Sequence, residues 1–269
     1  MNLLRSAALL AALSLPTTGK ADTFILVHGA FQTAEAWALT SDALTAAGHT
    51  AIAVDLPGRP GDGHDPAKVT MDDHVAAVRA AIEGAGVSPV VLVGHSFGGM
   101  TISAVAESAP ERIATLVYVA AYLPAVGASP GDSMQDLALS DHHGGWKEDS
   151  FVIASDYATA SVNPRDRAAL FANDAPADLA EAIASAMVDE PLTPIATPVA
   201  LTADRFGSVR AAYIVTLRDR AVSTDLQLTM LGRGRVAEAV PLDTGHVPHL
   251  VAPEALAAAL IRAATPELE

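Results

Sequence analysis

The sequence contains no cysteine, which removes disulfides, thiolate nucleophiles, iron–sulfur clusters and cysteine-ligated zinc in one step. Basic charge is scarce. Sixteen Lys and Arg stand against 31 Asp and Glu for a net charge of −15, and Lys20, Lys68 and Lys147 are the only lysines. A field of that sign repels phosphate backbones and anionic bilayers, so no nucleic-acid partner is expected. The bland reading of the charge is a solvated acidic surface. Scarce lysine beside abundant alanine points to a bacterial, GC-rich source. Long apolar runs are missing too: the stretch at residues 6–15 is half of the ~20 residues that cross a bilayer, so no stable membrane insertion is expected.

What remains is the composition of a packed, turn-rich globule. The 269 residues are 51% hydrophobic and 17% charged, with 19 Gly and 17 Pro. That length favours one core carrying an insertion over two separate domains. At the N-terminus, Arg5 precedes the apolar stretch 6–15, followed by Pro16 and a polar spacer ending Gly19-Lys20-Ala21. A charged start, a short apolar run and small residues at a cleavage position read as a secretory signal peptide over 1–21. The expectation is therefore a secreted or periplasmic protein, the alternative being an amphipathic first helix.

Short continuous apolar runs recur along the chain at 24–27, 50–54, 90–93, 113–119, 213–216 and 237–241. Each has the form of a strand buried on both faces of a parallel sheet. Between them, segments 34–47, 71–84, 98–108 and 253–263 repeat apolar residues at about 3.6. Strands alternating with helices predict a doubly wound, mostly parallel α/β sheet, its core formed by 22–123 and 199–269. The alternation stops after Tyr122-Leu123-Pro124 and resumes near Tyr213, too long a gap for a bare loop. Asn163-Pro164 can cap one helix, and Asp174 with Pro176 can start another, so 124–198 reads as a mostly helical cap inserted in the sheet domain, and the rest of the chain adds no second sheet.

The chemistry concentrates at Gly94-His95-Ser96-Phe97-Gly98-Gly99. A G-x-S-x-G between a buried strand and a helix is a nucleophile elbow: the glycines admit a turn too tight for a Cβ, and the serine hydroxyl projects above the sheet. It needs a base, and nine histidines compete. After such an elbow the acid and then the histidine follow in chain order. His246 lies after the last strand, beside Gly245, which permits a sharp loop; His249, three residues on, is the weaker choice. His28 and His95 sit within turns and read as structural, while His49, His64, His74, His142 and His143 read as surface or cap residues. For the acid, Asp219 follows the strand at 213–216, whereas Asp243 crowds the histidine and Asp225 falls on the next helix. The oxyanion hole is assigned to the N–H groups of Phe97 and Ala30, the latter in the loop His28-Gly29-Ala30-Phe31. Phe31, Tyr122 and Trp146 are candidate substrate-binding residues, with Met134, Phe151, Tyr157, Phe171 and Met187 as further apolar lining from the cap. No G-x-G-x-x-G and no H-x-x-x-H helix is present, and the adjacent His142-His143 diverge, so neither a dinucleotide nor a metal is expected.

These motifs, with Phe24-Ile25-Leu26-Val27-His28-Gly29-Ala30, Trp37, Asp55-Leu56-Pro57-Gly58 and the segment 118–124, resemble the α/β-hydrolase superfamily. The resemblance is to the branch of plant hydroxynitrile lyases, plant methyl esterases and bacterial pyrethroid-type carboxylesterases. It implies a cap over a Ser96-His246-Asp219 triad, no cofactor, and hydrolysis of small or medium hydrophobic esters. The lyases carry threonine after the strand histidine and lysine after the catalytic one, where this sequence has Gly29 and Val247. A lyase or C–C-cleaving enzyme on the same triad, and a low-turnover small-molecule binder, are the alternatives.

Overall fold

The computed structural model describes residues 21–126, 145–233 and 236–265. Nearly all of the expected signal peptide, together with Met134, His142 and His143, lies outside the described residues. Six strands, β1 (Thr23–Val27), β2 (Thr50–Val54), β3 (Val90–His95), β4 (Ile113–Val119), β8 (Arg210–Thr216) and β9 (Glu238–Leu242), form one sheet in the order β2-β1-β3-β4-β8-β9. Every pairing within it is parallel.

Alternation along these strands explains their continuous apolar character. Ile25 and Val27, Leu92, Leu116 and Tyr118, and Tyr213 and Val215 enter one core, whereas Phe24 and Leu26, Val91 and Val93, Val117 and Val119, and Ala212 and Ile214 enter a second core on the opposite face. Helices α1 (Ala38–Ala46) and α8 (Pro253–Ala264) cover the second face with Leu44, Leu256 and Leu260. Helices α2 (Met71–Gly84) and α3 (Gly98–Ser108) cover the first with Val78, Ile82, Ile102 and Val105, joined by Leu226 and Met230 of α7 (Thr224–Arg233). The start of α2 is set by a capping box, in which the Thr70 hydroxyl accepts from Asp73 N–H and the Asp73 carboxylate accepts from Thr70 N–H. From there Met71, His74, Val78 and Ile82 fall on one buried stripe. His74 is thus a core residue and not the surface residue expected; its Nε2–H donates to Pro57 O.

The chain inserted between β4 and β8 adds short strands to the expected helices. It holds helices α4 (Pro164–Phe171), α5 (Ala177–Ala186) and α6 (Leu192–Ala196), but also a three-stranded antiparallel sheet of β5 (Phe151–Ile153), β6 (Thr159–Val162) and β7 (Glu190–Pro191). The β-branched and aromatic residues of β5 and β6 pair across a tight turn in which Tyr157 takes φ 59° and the Asp156 carboxylate accepts from Ala158 N–H. Strands of two to four residues are too short to leave a period in the sequence. Asp174 does not cap α5 either; that helix starts at Pro176 without a side-chain cap.

Because β1 has β2 on one side and β3 on the other, connections leave it in opposite directions, and a crevice opens outside the carboxyl ends of β1 and β3.

Candidate active site

Ser96 stands at that crevice, between β3 and α3, with φ 51°. This conformation is costly for a non-glycine residue and is held by neighbours on both sides: Ser96 N–H donates to Val119 O at 3.1 Å, and Ser96 O accepts from Tyr122 N–H at 3.1 Å. The flanking glycines are steric necessities. A Cβ on Gly94 would lie 2.7 Å from Gly98 O, and one on Gly98 would lie 2.7 Å from His28 O.

His246 Nε2 is 3.1 Å from Ser96 Oγ, and its Nδ1 is 2.9 Å from Asp219 Oδ2. The carboxylate has no proton to offer, so Nδ1–H donates to it and Nε2 is left to accept the serine hydroxyl. Asp219 Oδ2 also accepts from Thr216 Oγ1 and Gln227 Nε2, and Oδ1 accepts from Ala221 N–H and Val222 N–H. The three side chains, each delivered by a different strand end, thus form one continuous chain of hydrogen bonds. Asp243 is excluded from it: its side chain is 79% exposed and pairs with Arg218 at 2.9 Å. His249 is excluded as well, because its Nε2 accepts from Gln32 Nε2–H at 3.2 Å and its ring packs on Trp37 with centroids 4.8 Å apart.

The loop bearing His246 is tied down from two directions. His95 Nε2–H donates to His246 O at 2.8 Å, and Asp174 Oδ2 accepts from Gly245 N–H at 2.6 Å. A Cβ on Gly245 would lie 2.5 Å from Asp174 Oδ1, so glycine is needed there for the approach of Asp174. His28 likewise serves structure, with Nδ1–H donating to Gly29 O and Nε2 accepting from Leu56 N–H.

Ala30 and Phe97 lie at the same crevice, and among the described residues neither N–H donates to a protein acceptor. Gly29 lets the Ala30 loop lie against the nucleophile, since a Cβ there would sit 2.7 Å from Ser96 Cβ. The other sequence candidates gather on one side of His246. Phe171 meets the His246 ring edge-on at 5.1 Å, Phe31 meets Phe171 and Phe151, and half-buried Trp146 meets both of those rings while its Nε1–H donates to Ala221 O at 2.8 Å. Tyr122 is buried beside Ser96, Met187 is buried in the core that holds Phe31 and Phe171, and Tyr157 is 73% exposed on its hairpin, away from any lining role.

Four further histidines are kept neutral. Burial holds His28 and His95 well below 6.5, helped by Arg59 for the former and by His249 and His246 for the latter. His249 is pushed down to about 3 by burial and His246, and His74 to about 4 by burial and Arg59. In the unfolded chain these imidazoles take up protons near 6.5, so below that pH the unfolded state binds more protons and stability is lost progressively towards pH 4. The expected result is a urea midpoint roughly 1 M or more lower at pH 5 than at pH 7. An unchanged midpoint would mean that these rings are not buried as neutral imidazoles.

Comparison with known proteins agrees with this fold. Residues 24–259 match the alpha/beta hydrolase family. Methylesterase 7 of Arabidopsis thaliana is 30% identical over 248 residues, covering 90% of this chain and 95% of the relative. Polyneuridine aldehyde esterase superposes with a TM-score of 0.78 at 22% identity, covering 91% of this chain and all of the other. A pyrethroid hydrolase from Sphingobium faniae superposes with a TM-score of 0.75 at 24% identity, covering 91% of this chain and 98% of the other. With its sheet order, its Ser96 elbow and a family match across both core segments and the insertion between them, the chain belongs to the alpha/beta hydrolase family.

Proposed function

We propose that the protein is a serine carboxylic ester hydrolase acting on small or medium hydrophobic esters. The carrying observation is the hydrogen-bonded chain from Ser96 Oγ through His246 to Asp219, beside the backbone N–H groups of Ala30 and Phe97, which donate to no acceptor among the described residues. His246 Nε2 takes the proton as Ser96 Oγ attacks the ester carbonyl, and the tetrahedral oxyanion accepts from Ala30 N–H and Phe97 N–H. Phe97 N–H belongs to the first turn of α3, so the positive end of the helix dipole faces the same oxygen. Collapse returns the proton from His246 to the leaving alkoxide, giving an alcohol and an acyl group on Ser96. Water, deprotonated by His246, then releases the acid. Asp219 stays a carboxylate throughout and holds the imidazole tautomer.

The name of the plant relative supports methyl esters within this class. Against the lyase alternative, a threonine side chain at position 29 would collide with Ser96, and the residue after His246 is Val247, fully buried. Purified protein is expected to hydrolyse p-nitrophenyl acetate and butyrate with steady turnover; a folded protein that turns over neither contradicts the reading.

The Trp146–Phe171–His246 edge contacts support Trp146 as apolar lining for the acyl chain. Trp146→Ala is expected to lower the butyrate-to-acetate ratio of kcat/KM roughly 10-fold, the discrimination that a pair of methylenes supplies in an apolar pocket. The ratio isolates lining from the Trp146 bond to Ala221, whose loss slows both esters alike. An unchanged ratio would remove Trp146 from the pocket wall.

A further inference from the structure

Arg59 and Glu190 have no part in the chemistry above, yet both are buried, their side chains 3% and 1% exposed. The guanidinium forks onto the carboxylate, Nη1 to Oε2 at 2.7 Å and Nη2 to Oε1 at 2.9 Å. Arg59 comes from the loop after β2, where Asp62 Oδ2 accepts from Gly58 N–H and Arg59 N–H. Glu190 opens β7, in the inserted sheet. A buried pair of this kind is seldom the best way to hold two segments together, because apolar residues of similar volume do as well or better.

What an apolar pair cannot do is accept a third hydrogen bond. Glu190 Oε2 accepts Phe31 N–H at 2.9 Å, and Phe31 O accepts Val188 N–H at 3.0 Å. Both backbone polar groups of Phe31 are therefore held by a three-residue stretch of the insertion. Phe31 needs holding, since its φ is 66°, a left-handed conformation that a bulky residue does not keep unaided. Fixing the Ala30–Phe31 peptide plane leaves only the two rotations of Ala30, φ and ψ, between it and the Ala30 N–H, whose own peptide plane is held on the sheet side where Gly29 O accepts His28 Nδ1–H. The direction of that donor is thus set jointly, from the sheet through Gly29 and from the insertion through Phe31.

We propose that Glu190 and Arg59 are positioning residues for the oxyanion hole: Glu190 holds the strained Phe31 turn that aims Ala30 N–H, and Arg59 holds Glu190. The inference rests on the ester-hydrolysis reading and deepens it. It makes the hole a joint product of sheet and insertion, so that displacing the insertion disarms the site without touching Ser96, His246 or Asp219.

The test compares wild type with the double variant Arg59→Met/Glu190→Leu, which keeps volume and removes every charge. Its melting temperature is expected to stay within a few degrees of wild type, while kcat on p-nitrophenyl butyrate falls roughly 30- to 100-fold with KM nearly unchanged. A butyl trifluoromethyl ketone, which forms an oxyanion on Ser96, is expected to lose affinity by the same factor as kcat/KM. A folded double variant with kcat within about 3-fold of wild type, or a loss confined to KM, overturns the proposal. If that variant melts below the assay temperature, Glu190→Gln against Glu190→Met carries the comparison, because only Gln can accept Phe31 N–H. The Gln variant is expected to keep at least about 10-fold more kcat, and equality overturns the proposal. A wild type that hydrolyses nothing removes both readings; a wild type that hydrolyses beside equally fast variants removes this one alone.

Discussion

Replacing Ser96 by alanine is expected to lower kcat on p-nitrophenyl butyrate by roughly 10⁶-fold while leaving the melting temperature within a few degrees of wild type. The size follows from what Ser96 Oγ touches. Among the described residues its one hydrogen bond is to His246 Nε2, which has no other partner there, so no second hydroxyl stands ready to replace it. Turnover left in the variant comes from water attacking an ester still polarised by Ala30 and Phe97 N–H groups, which in such sites preserves about 10³–10⁴ over the uncatalysed reaction. Stability is spared because alanine has no more difficulty than serine at φ 51°, and the backbone bonds of residue 96 to Val119 and Tyr122 survive. Steady-state assays beside a thermal melt check both halves. Residual activity above about 1% of wild type would place the nucleophile elsewhere.

Asp219→Asn is expected to cost about 10⁴-fold in kcat with little change in KM. Five donors converge on this carboxylate, and asparagine has a single acceptor oxygen to meet them. Ala221 N–H and Val222 N–H are fixed in the backbone and will claim that oxygen, turning the amide NH₂ towards His246 Nδ1. Nδ1 must then accept, the ring proton moves to Nε2, and the atom facing Ser96 Oγ becomes a donor that cannot take the serine proton. The variant still binds ester, because nothing that lines the pocket has changed shape. Should Asp219→Asn keep more than about a tenth of wild-type kcat, the orienting acid is not Asp219.

The reach of the sequence can be judged residue by residue. Helices α2 and α3 begin and end where the periodicity places them, because the Thr70–Asp73 box at one and the Gly98 turn at the other act on their own neighbours in the chain. The four inner sheet strands are legible for a related reason: burial on both faces makes β1, β3, β4 and β8 largely apolar runs, whereas the edge strands β2 and β9 are partly exposed. Ser96, His246 and Asp219 are legible because the elbow has a local signature and chain order limits where its partners lie. What escapes is interaction between distant segments. Asp174 looks like a helix starter and instead accepts from Gly245, 71 residues away. Arg59 looks like a loop cation and Glu190 like one acid among many, yet they meet across 131 residues under the insertion. His74 looks like a surface residue because a single polar residue on a helical stripe breaks the apolar pattern, while the structure gives its ring a carbonyl partner in the core. The short strands β5 to β7 fail for want of length.

The insertion therefore carries more of the site than its sequence shows. It supplies Glu190 and Val188 to the Phe31 turn, Asp174 to the His246 loop, and Trp146 and Phe171 to the aromatic wall. The sheet holds Ser96, His246 and Asp219 at rigid strand ends, and the insertion fixes the loops between them.

The measurement that bears most directly on covalent catalysis by Ser96 is the intact mass of protein quenched in acid during steady turnover of p-nitrophenyl butyrate. The acyl-enzyme predicts a second species heavier by roughly 70 Da, the butyryl group, mapped to the peptide containing Ser96 and missing in Ser96→Ala. A protein that turns the ester over rapidly with no adduct in pre-steady-state quenches and no burst of p-nitrophenol, or that carries the adduct on another residue, would contradict it.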